Sequence, residues 1–334
     1  MTKARGGTAV FLQNRDFFGA MVVHVPLLET LRRLTGPLVV YAPFERGRMF
    51  TAIGLADEVC VYAGAGGALW SDLRERKFER IVLLRPQSFG LTALISTAGA
   101  TRTLGYATAL SKLVFTRTIR RNTQIYRARN YMDLVAGEAP PVSFAAAIEA
   151  LAARSSATAE HAFVLMPCGS EERKLWGERN FVELALALKR EHSDARFVLV
   201  LGGTEARYAE LFRDAGLAEC TTSLIDKSLA DIAVAVRAAR AVVANDCGPS
   251  HVAQLAGVPT VLVFGNWDGA ARTRIAEWFD PRPGARCLTT AEPGSITDLA
   301  VTRVLEAVQA VVRDPATPGV TVAVPSRTGT TRRE

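Results

Sequence analysis

Residues 242–265 read "VVANDCGPSHVAQLAGVPTVLVFG". The apolar run "RAVVAN" (240–245) predicts a buried strand, "SHVAQLAG" (250–257) a short helix, and "TVLVFG" (260–265) a second buried strand. Two apolar strands joined through a helix form a parallel pair, covered on both faces. The polar residues Asn245, Asp246, Ser250 and His251 crowd onto the bend at the first strand's carboxyl end. Open parallel sheets bind ligands at such ends.

The same alternation extends in both directions. Upstream in this half come strand "FVLMP" (163–167), helix "RNFVELALALKREH" (179–192), strand "RFVLVLG" (196–202) and helices "EARYAELFRDAG" (205–216) and "LADIAVAVRAA" (229–239). Residues 296–314 form an amphipathic closing helix, and 315–334 read as a flexible tail. A first series precedes it: strands at 8–13, 37–43, 58–63 and 80–86, with helices at 23–34 and 89–100. Between the series lies "GEAPPVSFAAAIEALAARSSATAEHA" (137–162), whose Pro-Pro pair and Ala/Ser content suit an interdomain segment. The expectation is an α/β chain of two doubly wound parallel-sheet domains, 1–150 and 151–314, facing a cleft.

With 334 residues, two domains are expected on size alone. No apolar run approaches 18 residues, and the four-residue apolar run before Gln13 is too short for a secretory signal, so none is expected. Five dispersed cysteines without Cys-x-x-Cys or metal-ligand spacing fit reduced thiols, with neither disulfide nor zinc. Residues 1–130 carry 19 Lys/Arg against 8 Asp/Glu, concentrated in "SKLVFTRTIRRNTQIYRARN" (111–130). That segment is a solvated face or a surface for an anionic partner: a phosphorylated lipid headgroup, a sugar phosphate or, last, a nucleic acid, for which it lacks stacking aromatics.

Three loops of the second half carry the chemistry. Gly248 and Pro249 stand where an N-cap and first helical residue belong, so the amides of Ser250, His251 and Val252 are expected to face outward and hold an anion. The loop after "FVLMP" holds Gly169, Ser170 and Lys174; glycine permits close backbone approach and lysine neutralises phosphate as a point charge. After "RFVLVLG" come Gly202, Gly203, Thr204 and Glu205. Each loop alone also reads as a capped helix or tight turn. Together, at strand ends of one domain, they point to a nucleotide-diphosphate pocket. The P-loop and Gly-x-Gly-x-x-Gly fingerprints are absent.

"MPCGSEERKLWGERNFVELALALK", "VLVLGGTEA" and "NDCGPSHVAQLAGVPTVLVFG", in this order and spacing, resemble the bacterial lipopolysaccharide heptosyltransferase family, glycosyltransferase family 9. The resemblance covers most of residues 8–312. It implies a GT-B fold of two Rossmann-like domains and metal-independent inverting transfer from a nucleotide sugar, typically ADP-heptose, with no cofactor. The implied acceptor is an anionic glycolipid, the phosphorylated inner core of lipopolysaccharide. By this resemblance Lys174 meets the donor phosphates, and Asp246, Cys247, Gly248 and His251 form the donor turn with Asn245 and Pro249. Cys247 stands where the family has Ser or Thr, and a thiol donates only weakly. Cys168 replaces a small residue.

The largest departure lies at the first loop, where the family's Gly-Asp is Gly19-Ala20. Asp16 is the nearest carboxylate, either a displaced catalytic base or a loop cap, and His24 the nearest imidazole, in an apolar run. The readings are therefore a working transferase, a donor-binding homologue or partner subunit that has lost catalysis, or a transferase for a soluble or protein acceptor. Arg117, Arg120 and Arg121 are the candidate acceptor contacts. A cytoplasmic protein is expected, peripheral at the inner membrane leaflet through its basic half.

Overall fold

The computed structural model describes residues 5–12, 18–85 and 88–324. The chain divides into two compact units, Met1–Ser143 and Phe144–Glu334.

The first unit holds six strands: β1 (Thr8–Phe11), β2 (Leu38–Ala42), β3 (Glu58–Val61), β4 (Arg80–Leu83), β5 (Arg102–Tyr106) and β6 (Arg117–Ile119). Every pairing is parallel, in the order β3-β2-β1-β4-β5-β6. The strand order reverses between β1 and β4, as in doubly wound nucleotide-binding sheets. β1, β2 and β4 are buried throughout, which explains their unbroken apolar runs. The core is aromatic: Phe11 stacks on Tyr41 at 4.6 Å, and Phe115 packs so closely on β5 that a Cβ at Gly105 would fall 2.6 Å from its ring.

The second unit holds β7 (Phe163–Met166), β8 (Phe197–Leu201), β9 (Thr221–Ile225), β10 (Ala241–Asn245), β11 (Thr260–Val263), β12 (Ala285–Thr290) and β13 (Val320–Val324). They too pair in parallel, in the order β13-β12-β11-β10-β7-β8-β9. The reversal falls between β7 and β10. Helices Glu178–Glu191, Arg207–Asp214 and Val301–Arg313 pack together over one core; Phe144–Ala152, Leu229–Arg237 and Ser250–Ala256 pack with one another. Phe144–Ala152 thus lies in the second unit. The segment after Asp314 contains β13, a half-buried edge strand on β12 whose "VTVAV" alternation suits that position. β6, β9, β12 and the helix Gly67–Arg76 are further elements that the apolar pattern did not display.

His24 lies at the head of the helix Val25–Leu31, fully buried, stacked on Tyr131 at 4.7 Å with Phe50 edge-on at 6.4 Å. Neither ring nitrogen has a well-formed hydrogen bond among the described residues, and the backbone of Met21 and Ala20 opposes the effect of burial only weakly. Burial, with the nearby Arg127 charge, lowers its pKa to about 3, so the native ring is neutral. In the unfolded chain it titrates near 6.5. The contribution is complete above pH 6.5 and is lost as pH falls toward 3, at about 1.4 kcal/mol per pH unit. Urea-unfolding midpoints of the first unit, measured from pH 7.5 to 4.5, should therefore fall less steeply in His24→Leu than in wild type; parallel slopes would refute the assignment.

Candidate active site

At the reversal between β7 and β10 two neighbouring strands send their chains into different helix layers, and a crevice opens between the two loops. Asn245, the last residue of β10, holds these loops in register. It is fully buried; its Nδ2 donates to the carbonyls of Pro167 (2.6 Å) and Cys168 (3.4 Å), and its Oδ1 accepts the Trp176 N–H at 3.1 Å. Its amide is thus engaged with protein on both sides, and Asn245 positions the site instead of presenting a ligand contact. Trp176 continues the brace. It is fully buried, stands edge-on to Phe181 at 5.2 Å, and donates its indole N–H to Leu299 O at 2.8 Å.

From this frame Lys174, at the end of the 3-10 turn Glu172–Lys174, reaches the other loop: its Nζ lies 3.1 Å from Asp246 Oδ2 and 3.9 Å from Glu171 Oε1. Two residues 72 positions apart in sequence thereby meet at the crevice. Both keep some solvent access, 21% for the lysine side chain and 14% for the aspartate. A partly exposed cation that is neutralised by one carboxylate can be recruited by a more highly charged anion. Gly169 leaves room here for the Leu175 side chain, whose end would lie 2.8 Å from a Cβ at that position.

The helix after β10 begins at Ser250, with Pro249 as its N-cap, one residue later than the sequence suggests. The amides of His251 and Val252 donate back to Gly248 O (3.2 Å) and Pro249 O (2.9 Å), so two of the three amides expected to face outward close the turn instead. The cause is the tight Gly-Pro entry. His251 is buried, and its ring faces Gln254. Gln254 Oε1 accepts the Asp280 N–H at 2.8 Å, which turns its amide nitrogen toward His251 Nδ1 at 3.1 Å. Nδ1 is then the acceptor, and the ring proton resides on Nε2. Cys247 is buried; desolvation and the adjacent Cys168 thiol push its own thiol well up, so it stays protonated.

At the end of β8 the paired glycines accommodate two carboxylates. A Cβ at Gly202 would meet Glu205 Oε2 at 2.6 Å, and one at Gly203 would meet Asp226 Oδ2 at 2.7 Å. Asp226, in the left-handed region at φ 49°, accepts the Gly203 N–H at 2.8 Å. Sequence reasoning missed Asp226 because β9, which delivers it, is polar. Ser170, Gly203 and Thr204 are exposed beside these groups. A cavity of about 1200 Å³ opens between the β7 loop (169–177) and the starts of helices Glu178–Glu191 and Arg207–Asp214, but Lys174, Asp246, His251 and the paired glycines of the β8 loop are not among its walls. Charged groups converge at the β7 and β10 loops, outside that cavity.

In the first unit Asp16 lies outside the described residues. Ala20 is buried in the helix Phe18–Val22, and His24 is sealed in the core. Arg117 turns its guanidinium onto the carbonyls ending the helix Arg127–Val135, Asp133 O at 3.1 Å and Ala136 O. Arg120 is exposed and Arg121 half-buried.

Comparison with known proteins gives the family and the fold. The family model "Glycosyltransferase family 9 (heptosyltransferase)" matches residues 67–276, more than half of the chain. The chain belongs to glycosyltransferase family 9. It is a glycosyltransferase of two parallel-sheet domains in the GT-B class. Among solved structures it is similar to Escherichia coli ADP-heptose LPS heptosyltransferase II (20% identity, 92% of this chain and 98% of that one, TM-score 0.62). It is also similar to E. coli heptosyltransferase WaaC with ADP-2-deoxy-2-fluoro heptose (17% identity, 90% and 99%, TM-score 0.65). The UDP-GlcNAc 2-epimerase of Methanocaldococcus jannaschii shares the fold more distantly (11% identity, 93% and 94%, TM-score 0.54). No curated protein sequence matches.

The Asn245 brace is open to direct test. Asn245→Ala strands the Trp176 N–H and the Pro167 carbonyl in a buried setting, and should cost about 1–3 kcal/mol in urea unfolding of the second unit. A stability equal to wild type would show that the two loops are held by something else.

Proposed function

We propose that this family member transfers a sugar, heptose from ADP-heptose, to a phosphorylated acceptor such as the lipopolysaccharide inner core, with inversion and without a metal or cofactor. In this reading the second unit binds the nucleotide sugar and the first unit binds the acceptor. The observation that carries it is the Lys174–Asp246 pair across the β7/β10 crevice, at 3.1 Å. The donor diphosphate recruits Lys174 from Asp246, and the released carboxylate accepts hydroxyls of the donor sugar. His251 donates through Nε2 to a phosphate oxygen. Glu205 and Asp226, seated over the paired glycines, accept hydroxyls of the ribose, while Ser170 and Thr204 lie at the exposed rim of the pocket.

The chemistry follows from these placements. An acceptor hydroxyl oxygen attacks the anomeric carbon as the bond from that carbon to the phosphate oxygen breaks. The electron pair leaves on ADP, whose growing charge Lys174 and His251 stabilise. The hydroxyl proton goes to a general base. Ala20 cannot take it, and the buried His24 ring is out of reach of solvent. Asp16 is the carboxylate we assign to that role. Arg120 and Arg121 contribute the positive surface for the acceptor phosphates, Arg117 acting through the segment it anchors. The reading includes a cytoplasmic protein in electrostatic contact with the inner leaflet.

Calorimetric titration of ADP should show Lys174→Ala binding about ten- to a hundredfold more weakly than wild type, the span of one charge-assisted contact. Asp16→Asn should retain ADP binding while losing turnover with ADP-heptose. Equal ADP affinity in Lys174→Ala would remove the lysine from the site, and unimpaired turnover in Asp16→Asn would remove the base.

A further inference from the structure

Exposed large apolar side chains are unevenly distributed. Among the described residues they are Val61, Trp70, Phe89, Leu113 and Ile225, and all but Ile225 belong to the first unit. Phe89 is 74% exposed and Leu113 84%, values at which neither contributes to the core. Phe89 opens the helix Phe89–Ser96 after β4, Leu113 lies in the short helix Ser111–Val114 after β5, and these helices pack side by side. The helix Gly67–Arg76 adjoins the first of them; Trp70, 42% exposed, donates its indole N–H to Thr97 Oγ1 at 3.1 Å. The segment "AGAGGA" (63–68) is exposed along the same rim, with Ala65 3.3 Å from the Cβ position of Gly90. Small residues, an indole, a phenyl ring and an isobutyl group thus stand exposed on three adjoining helices and the segment before them.

The segment that carries Phe89 and Leu113 is charged with one sign. From Arg80 through Met132 the sequence contains no Asp or Glu, while nine Lys and Arg occur. Lys112 is exposed next to Leu113, Arg74 lies over the Trp70 ring at 5.5 Å, and Arg120 is exposed beyond β6. Asp72 and Glu75 lie on the Trp70 helix, Asp72 paired with Arg76 at 3.0 Å, while Phe89 and Leu113 protrude from a segment whose charges are all positive; such apolar groups set among cations match an anionic bilayer surface. The apolar groups enter the acyl boundary and the cations meet headgroup phosphates. A protein partner would call for a shaped, charge-mixed patch.

We infer that the face formed by Trp70, Phe89, Leu113 and Lys112 docks the first unit onto an anionic lipid bilayer, inserting Phe89 and Leu113. The choice of a bilayer as occupant rests on the proposed glycolipid acceptor; the patch itself does not. Docking there keeps the enzyme on the surface that carries its acceptor, so transfer proceeds without the acceptor leaving the membrane.

The test is sedimentation of the full chain, without nucleotide or acceptor, with vesicles of phosphatidylglycerol and phosphatidylcholine or of phosphatidylcholine alone. Wild type should pellet with the anionic vesicles at least about tenfold more strongly than with the neutral ones. Phe89→Ser/Leu113→Ser should lose at least about tenfold of that binding, and Lys112→Glu a few-fold, with circular dichroism and ADP affinity unchanged in both. The proposal is overturned if wild type stays in the supernatant, if the double variant pellets like wild type, or if neutral and anionic vesicles are bound alike. It is also overturned if wild type self-associates and the double variant does not, which would make the face a contact between copies. ADP titration of the same wild-type sample reads the donor site independently, so failure of the proposed function and failure of docking give different results.

Discussion

The carboxamide of Asn245 is the contact on which the second unit's site depends. A parallel sheet that reverses its strand order leaves two neighbouring strand ends with diverging loops, and nothing in the ladder controls the gap between them. Asn245 controls it by accepting from one side of the β7 loop and donating to the other, from the last position of β10. Buried polar groups are costly unless paired, so this geometry is specified tightly: a shift of either loop would strand several groups at once. Trp176, anchored to Leu299 O, extends the constraint to the helix layer. Lys174 and Asp246 meet because their loops are fixed first.

That order separates framework from chemistry in a stretch where the sequence intermingles them. Asn245 and Trp176 are sealed and structural, whereas their neighbours Asp246 and Lys174 retain solvent access. The glycine pair at 202–203 works differently, by omission. Without side chains there, Glu205 and Asp226 fold over the backbone and carry two carboxylates to the same edge of the sheet. Cation and carboxylates thus stand at successive strand ends of one unit.

How much of this was legible follows the burial of each strand. β1, β2, β4, β7, β8, β10 and β11 are covered on both faces, so their apolar runs stand out and the two-domain parallel architecture follows from them. β9 ("TTSLI") and β13 ("VTVAV") are half-buried edges and β12 ("ARCLTT") mixes polar with apolar, so none resembles a core strand until its neighbour is known. Lys174, Asp246 and His251 were readable because glycine, proline and charge cluster at strand ends. Their partnership was not, since no local pattern reveals that loops 72 residues apart converge. Nor does sequence report whether an amide turns inward, as those of His251 and Val252 do, or whether an asparagine beside an aspartate holds the frame and not the ligand.

The central claim is that a diphosphate seats between the β7 and β10 loops and takes Lys174 from Asp246. A crystal structure of the chain with bound ADP measures this most directly. The account requires Lys174 Nζ within hydrogen-bonding distance of a phosphate oxygen, with its 3.1 Å contact to Asp246 lengthened or broken. Nucleotide bound elsewhere, in the wide cavity over the helix Glu178–Glu191 for example, with the Lys174–Asp246 pair intact, would contradict it.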